Sequence, residues 1–386
     1  MKKGSMSAII NLWENAEELA PITRTRPIGM LPFGGRYRLL DFSLSNVANA
    51  DIQNVMIAMP TSGRSVQDHL RSGQDWNLDT IQAALYTSPY NDLSLVSEKK
   101  RESLKNHYYD NEVLFLEKAN TEFTILTGAR DVTNIDLHDV LEHHQQSDAD
   151  ISVAYKKYPI DQVTPNMPIV IQDGNGMATE VKRAQDCELT DPVAVSVNVA
   201  IFNTQTLIAL FKRANELGYM DNMDAVINDA VENQTVSGYE YTGFHRRIET
   251  IKSYVDSNMA MLDLANYQTL FAPERPIYTK TKQGAPTRLG ETAHVVESAF
   301  ASGSEILGTV NRSLLSRSIQ VAAGAEIDDS IVMQGVQVGR NTVVKHAIID
   351  KNVQLGEGLS IIGTPDAPII IGKNQKIMQQ SEVLND

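Results

Sequence analysis

The chain has 386 residues, of which 42% are hydrophobic and 6% aromatic, with a formal net charge of -14. That length exceeds what one core usually serves and implies two domains, while the acidity opposes nucleic-acid backbones and anionic membranes as partners. One cysteine, Cys187, beside 13 methionines excludes a disulfide framework and suits a reducing, cytoplasmic setting.

The apolar stretch from Met6 to Trp13 is broken by Ser7 and Asn11 and runs into Glu14. It is too short for a signal or membrane segment and reads as a first buried strand. Further strands are predicted over Ile52 to Met59, Phe123 to Thr127, Ala149 to Tyr155 and Val193 to Phe202. Helices are predicted over Leu137 to Gln146 and Thr206 to Leu217, where apolar residues return every three or four positions. Alternation of this kind gives a mixed, largely parallel sheet with helices on its faces, and such sheets take ligands at the carboxyl ends of their strands. His143 and His144 lack further ligands at metal spacing and read as surface or helix-end residues; Asp148 and Asp150 read as turn residues before a strand.

The texture changes after Pro273 and Pro276, so the boundary is set there: 1–272 and 273–386. Aliphatic clusters recur at five- or six-residue spacing from Leu314-Leu315 through Ile319-Gln320-Val321 to Val353-Gln354-Leu355, with Gly324, Gly335, Gly339 and Gly356 at the breaks. Strands so short, repeated so evenly, build a triangular parallel β-helix of hexapeptide type. An acyltransferase site between coils has His346 as its only candidate histidine in that repeat region.

The run Leu31-Pro-Phe-Gly-Gly-Arg-Tyr-Arg-Leu-Leu-Asp-Phe-Ser-Leu-Ser-Asn46 closely resembles bacterial glucose-1-phosphate adenylyltransferases, and Ser196 to Phe202, Ser257-Asn258-Met259 and Ala347-Ile-Ile-Asp-Lys-Asn352 support the match over nearly the whole chain. The resemblance implies a Rossmann-like (GT-A-like) α/β nucleotidyltransferase domain followed by a left-handed parallel β-helix. It also implies a function: making ADP-glucose from ATP and glucose 1-phosphate with Mg²⁺.

The residues that the family uses for this chemistry are replaced. Where the resemblance puts a Gly-Gly-x-Gly-x-Arg-Leu triphosphate loop, this chain has Trp13-Glu14-Asn15-Ala16-Glu17-Glu18-Leu19. Trp13, Glu14 and Ala16 stand for the glycines, Glu18 for the arginine, and Ile28 for a following lysine. A carboxylate about 4 Å from a phosphate costs roughly 4 kcal/mol at an effective dielectric constant of about 20. Ala129 and Arg247 fall where the family has its two metal carboxylates; Ala184 falls on its sugar-phosphate lysine and Asn198 on a glycine. Trp13 reads as a core or plug residue.

The pattern resembles the regulatory subunit type of this family: no metal or cofactor held by this chain, Mg²⁺ needed by a catalytic partner, and a hetero-oligomer, by resemblance a tetramer. Arg24, Arg26, Arg36, Arg38 and Arg317 are candidate contacts for a sugar-phosphate effector, because guanidinium forks suit phosphate. The alternative is an active sugar-phosphate nucleotidyltransferase working through Asp131, Lys182 and Glu249.

Overall fold

The computed structural model describes residues 5–60, 63–80, 83–90, 97–174, 176–218, 226–227, 229–230 and 233–383. Two compact units interleave along the chain: Met1–Glu14, Phe42–His245 and Pro273–Tyr278 form one, and Asn15–Asp41, Arg246–Ala272 and Thr279–Asp386 the other. The change of texture at Pro273 is therefore one of several crossings and not a single cut. Segments far from the repeats in sequence join them in space through buried polar ties described below.

In the first unit, strands β1 (Met6–Asn11), β2 (Asn54–Pro60), β3 (Ala84–Tyr90), β4 (Phe123–Thr127), β5 (Ile151–Tyr158), β6 (Pro168–Gln172), β7 (Ala178–Arg183), β8 (Val193–Asn203) and β9 (Val236–Glu240) make one nine-stranded sheet. Its main path runs β7-β6-β8-β4-β1-β2-β3, with β5 pairing β8 and β9. β1 lies parallel to β2 and β4, whereas β8 is antiparallel to β4, β5 and β6. β1 is central, and Ser7 through Ile10 are wholly buried, as a parallel strand covered on both faces requires. Its one polar residue there is satisfied by a hydroxyl chain: Ser7 to Thr124 at 3.0 Å and Thr124 to Thr204 at 2.8 Å.

Helix α1 (Leu39–Asn49) is followed in this unit by α2 (Asp110–Ala119), α3 (Leu137–Ser147) and α4 (Thr204–Leu217). The α4 face of Leu207, Ile208, Leu210, Phe211 and Ala214 is buried, and Gly218, at φ 70°, ends the helix in the left-handed conformation. The predicted strands and helices are present, with ends shifted by up to three residues, as at β5 and β2. His144 lies in the last turn of α3, a helix-end residue as read, but not at the surface: it is buried, its ring 2.8 Å from Ser152 Oγ, because the inner face of α3 packs on the sheet. His143, by contrast, is half-buried. Asp148 caps α3 at φ 54°, a turn residue as expected.

In the second unit, three parallel sheets of six, five and five short strands stack into the β-helix, successive coils being 15 or 17 residues apart except at the last step, from Ile349 to Ile371 and from Leu355 to Ile377, which takes 22. Val310, Ile327, Val344 and Ile361 form one inward ladder; Leu315, Val332, Ile349 and Ile371 form another. A serine ladder holds a corner: Ser298, Ser313 and Ser330 each accept, on Oγ, the backbone N–H one coil on, from Ser313, Ser330 and Ala347. Leu314, Ile331 and Ile348 alternate with the inward set yet are also buried. Part of their sheet is covered by this unit's N-terminal segment, where a Cβ on Gly35 would stand 3.1 Å from Leu315 O. Among the described residues no helix is long and apolar enough to cross a membrane.

Candidate functional site

In the first unit, the carboxyl ends of β1 and β4 bring together three of the residues singled out from sequence. Glu14 follows β1, Ala129 follows β4, and Asn198 interrupts β8 at φ 57°. The Glu14 side chain is only 8% exposed. It accepts hydrogen bonds from the Ala129 N–H at 3.3 Å, the Arg130 N–H at 3.2 Å and the Asn198 side-chain amide at 3.4 Å, and it pairs with the Arg130 guanidinium at 3.5 Å. A pair of backbone amides with a guanidinium at the mouth of a parallel sheet is an anion site. Here the protein supplies the anion itself. The fit leaves no slack, since a Cβ on Gly128 would lie 2.5 Å from Glu14 Oε1 and 2.2 Å from Asn198 Nδ2. Helix α1 backs this loop, with Ser43 donating to Gly128 O at 2.6 Å and Asn46 to Thr133 Oγ1 at 3.2 Å, which accounts for the polar residues of its Ser-Leu-Ser-Asn run.

Trp13 is half-buried against the same core and meets Tyr90, at the end of β3, edge-on at 6.4 Å. Ala184 lies in a hydrophobic cluster with Tyr158, Ile169, Val193 and Val195, so no cation reaches that position. Lys182, exposed on the edge strand, pairs with Glu180 at 2.6 Å.

The residues present do not fit a Mg²⁺ site. Ala129 has no ligand atom, and Asp131 is buried with Oδ1 2.8 Å from His245 Nε2, whose Nδ1 faces the Tyr158 hydroxyl at 2.9 Å. In the second unit Arg247 binds Glu249 at 2.7 Å, with both side chains 11% exposed. Among the described residues there is no group of three or more His, Cys, Asp or Glu side chains placed to hold a metal. Of the other altered positions in that unit, Ile28 is core, Ala16 half-buried and Glu18 exposed.

The second unit contains a cluster of basic side chains. The Pro32–Phe33 and Tyr37–Arg38 strands pair as a tight hairpin whose turn has Gly34 at φ 55° and Gly35 at φ 72°, a conformation that only glycine adopts freely. Asn258 accepts the Gly34 N–H at 3.0 Å and the Tyr254 hydroxyl donates to Pro32 O at 2.8 Å, so the Ser-Asn-Met helix (Ile251–Met259) fixes the hairpin. Arg26 is buried in an ion pair with Asp350, and its Nη1 reaches Met333 Sδ at 3.8 Å. Burial, with Arg26 and Arg317 nearby, holds the Arg38 guanidinium down to about 10, although Asp41 opposes the shift. Burial and the charges of Arg38 and Arg26 hold the Lys351 ammonium down to about 7.

Among the described residues, Arg26 Nε and Arg38 Nη1 are buried donors without a hydrogen-bond partner. Among the described residues, Arg26, Arg38, Arg317, Lys351 and Lys282 thus bear on this cluster against two carboxylates, Asp41 and Asp350. Arg36 is exposed over the Tyr37 ring at 5.8 Å, and Arg24 is exposed in the preceding turn. Sequence reasoning missed Arg130, His245 and Lys351. Lys351 alone had a signal, its place in the quoted Ala-Ile-Ile-Asp-Lys-Asn segment.

A nucleotidyl transferase family model matches residues 15–263, and a GlmU-like, C-terminal hexapeptide model matches residues 283–367. The chain is 28% identical, over the full length of both, to a Bacillus subtilis (strain 168) protein named glycogen biosynthesis protein GlgD. It is 31% identical to the Geobacillus stearothermophilus protein of the same name, over 83% of this chain and 82% of that one. With this match in sequence and a mixed sheet followed by a β-helix, the chain belongs to the GlgD-type branch of the nucleotidyl transferase family.

Proposed function

We propose that this chain is a regulatory subunit of a cytoplasmic glucose-1-phosphate adenylyltransferase in glycogen biosynthesis, without transferase activity of its own, and that it works in a hetero-oligomer with a catalytic subunit. The observation that carries the reading is the Glu14 carboxylate seated on the Ala129 and Arg130 amides, where incoming phosphate would meet a buried negative charge. The ties of Asp131 to His245 and of Glu249 to Arg247 also count against the alternative of displaced catalytic residues.

The basic cluster is the effector site in this reading. Two buried guanidinium donors without partners and a depressed ammonium all favour a bound anion, and a sugar phosphate supplies both charge and acceptors. Effector binding then alters the partner's kinetics only through differential affinity for two states of the assembly.

The test is reconstitution. The pure chain with ATP, glucose 1-phosphate and Mg²⁺ releases no pyrophosphate above background. Mixed with a catalytic subunit it forms a larger species on sizing, and Arg38→Ala raises the effector concentration for half-activation roughly ten- to a hundred-fold with little change in basal rate. Turnover by the pure chain that Asp131→Ala abolishes refutes the inactive reading; normal effector response in the Arg38 variant refutes the cluster as effector site.

A further inference from the structure

A carboxyl group that neither site uses lies inside the first unit. Glu112, in the first turn of α2, is completely buried, and its carboxyl faces its own backbone N–H and the Tyr90 hydroxyl, neither of which closes a hydrogen bond of normal geometry. Its surroundings are aromatic. Tyr90 at the end of β3 stacks on Tyr108 at 5.5 Å with planes 3° apart, Tyr108 meets Tyr109 edge-on at 5.1 Å, and Tyr109 stacks on Phe211 of α4 at 5.1 Å. Trp13 closes the other end of this row, against Tyr90, at the carboxyl ends of the sheet strands. Among the described residues, the titratable groups that bear on Glu112 are the Tyr90 hydroxyl on β3 and Asp110 on its own helix; Tyr108 and Tyr109 act on Tyr90. Asp110 is engaged elsewhere, accepting from Asn215 of α4 at 3.0 Å and lying 2.9 Å from His107. Among the described residues, no cation appears among the groups bearing on Glu112.

A carboxylate in such a place lacks both solvent and a counter-charge, so the closed arrangement favours the acid form. We propose that Glu112 is a proton-controlled latch: as a carboxylic acid it keeps α2 seated on the Trp13–Tyr90–Tyr108 row, and on ionising it releases α2 from that row. The device is independent of the regulatory reading.

Burial pushes the Glu112 carboxyl up to about 7, with its own backbone N–H and the Tyr90 hydroxyl opposing the shift and Asp110 adding to it. When α2 opens, the group returns to its ordinary value of 4.5. The sign follows: protection of α2 is complete below about pH 4.5, falls as pH rises, and levels off above about 7.

Hydrogen exchange by mass spectrometry on the full chain at pH 5, 6, 7 and 8, corrected for intrinsic exchange, tests this. Protection of the Asp110–Ala119 amides should fall about forty-fold between pH 5 and 7. Glu112→Gln should remove that fall. Tyr90→Phe, which deletes the hydroxyl that favours ionisation, should displace the levelling-off to higher pH. A flat wild-type profile, or the same fall in Glu112→Gln, overturns the proposal. If Glu112→Gln does not fold, an unchanged profile in Tyr90→Phe overturns it.

Discussion

Replacing Arg26 by Met tests how the second unit is held together. Arg26 and Asp350 are 5% and 4% exposed, and they join the segment before the Pro-Phe-Gly-Gly hairpin to a strand end in the β-helix. Removing one partner of a buried pair strands the other charge, typically at about 3–5 kcal/mol, whereas an exposed pair is worth about 1 kcal/mol or less. The structure points to the lower end of that range. Asp350 keeps the Lys351 N–H at 2.6 Å, and the Lys351 ammonium and Arg38 are relieved of a like charge. We therefore expect Arg26→Met to destabilise this unit by about 3 kcal/mol, a little over a hundred-fold in the folding equilibrium. Arg26→Met/Asp350→Leu should recover most of it, because no charge is then left buried.

Chemical denaturation followed by circular dichroism, with hydrogen exchange in peptides covering 15–41 and 347–355, measures both effects in the unit concerned. A loss below 1 kcal/mol in the single variant, or a double variant no more stable than the single, refutes the reasoning. The same argument makes Arg26→Ala a poor probe of effector binding and makes Arg38 and Lys351 the better ones.

Because the Lys351 ammonium is held down to about 7, an anion entering the cluster should draw a proton onto it: phosphate or sulfate titrations at pH 8 in buffers of different ionisation enthalpy should report uptake approaching one proton, absent in Lys351→Met. Binding should weaken as pH rises above 7, and an uptake of zero in the wild type refutes the cluster's electrostatics. Gly35→Ala meets both a φ of 72° and Leu315 O at 3.1 Å, so it should cost about 1–3 kcal/mol and lower the melting temperature, and an unchanged melting temperature contradicts the fixed hairpin. Glu14→Ala removes the acceptor from two buried amides and should cost about 1–3 kcal/mol, seen as lost exchange protection at Ala129 and Arg130, with no gain of pyrophosphate release.

Much of the fold was legible in the chain because its periodicities are local. A central strand buried on both faces reads as a largely apolar run, and coils stacked mostly at 15 or 17 residues write their inward positions into the sequence as short aliphatic clusters. The altered positions Glu14, Ala129 and Asn198 were also legible as substitutions of a motif. Their consequence was not, for the hydrogen bonds that seat Glu14 on the Ala129 and Arg130 amides span more than a hundred positions.

The same limit hid the pairing of Arg26 with Asp350, 324 residues apart, and of Asp131 with His245, 114 apart. A basic run in sequence gives the charges but not their burial, and it is burial that separates Arg38 and Lys351, whose nearby carboxylates offset it only in part, from Arg26, which is ion-paired with Asp350, and from Arg24, which is solvated. Glu112 makes the point most sharply. In sequence it is one acid among 48 Asp and Glu residues on an amphipathic helix. Only the packing of α2 against β3 and α4 removes it from water, and that desolvation, a property of the surroundings and not of the residue, decides its chemistry.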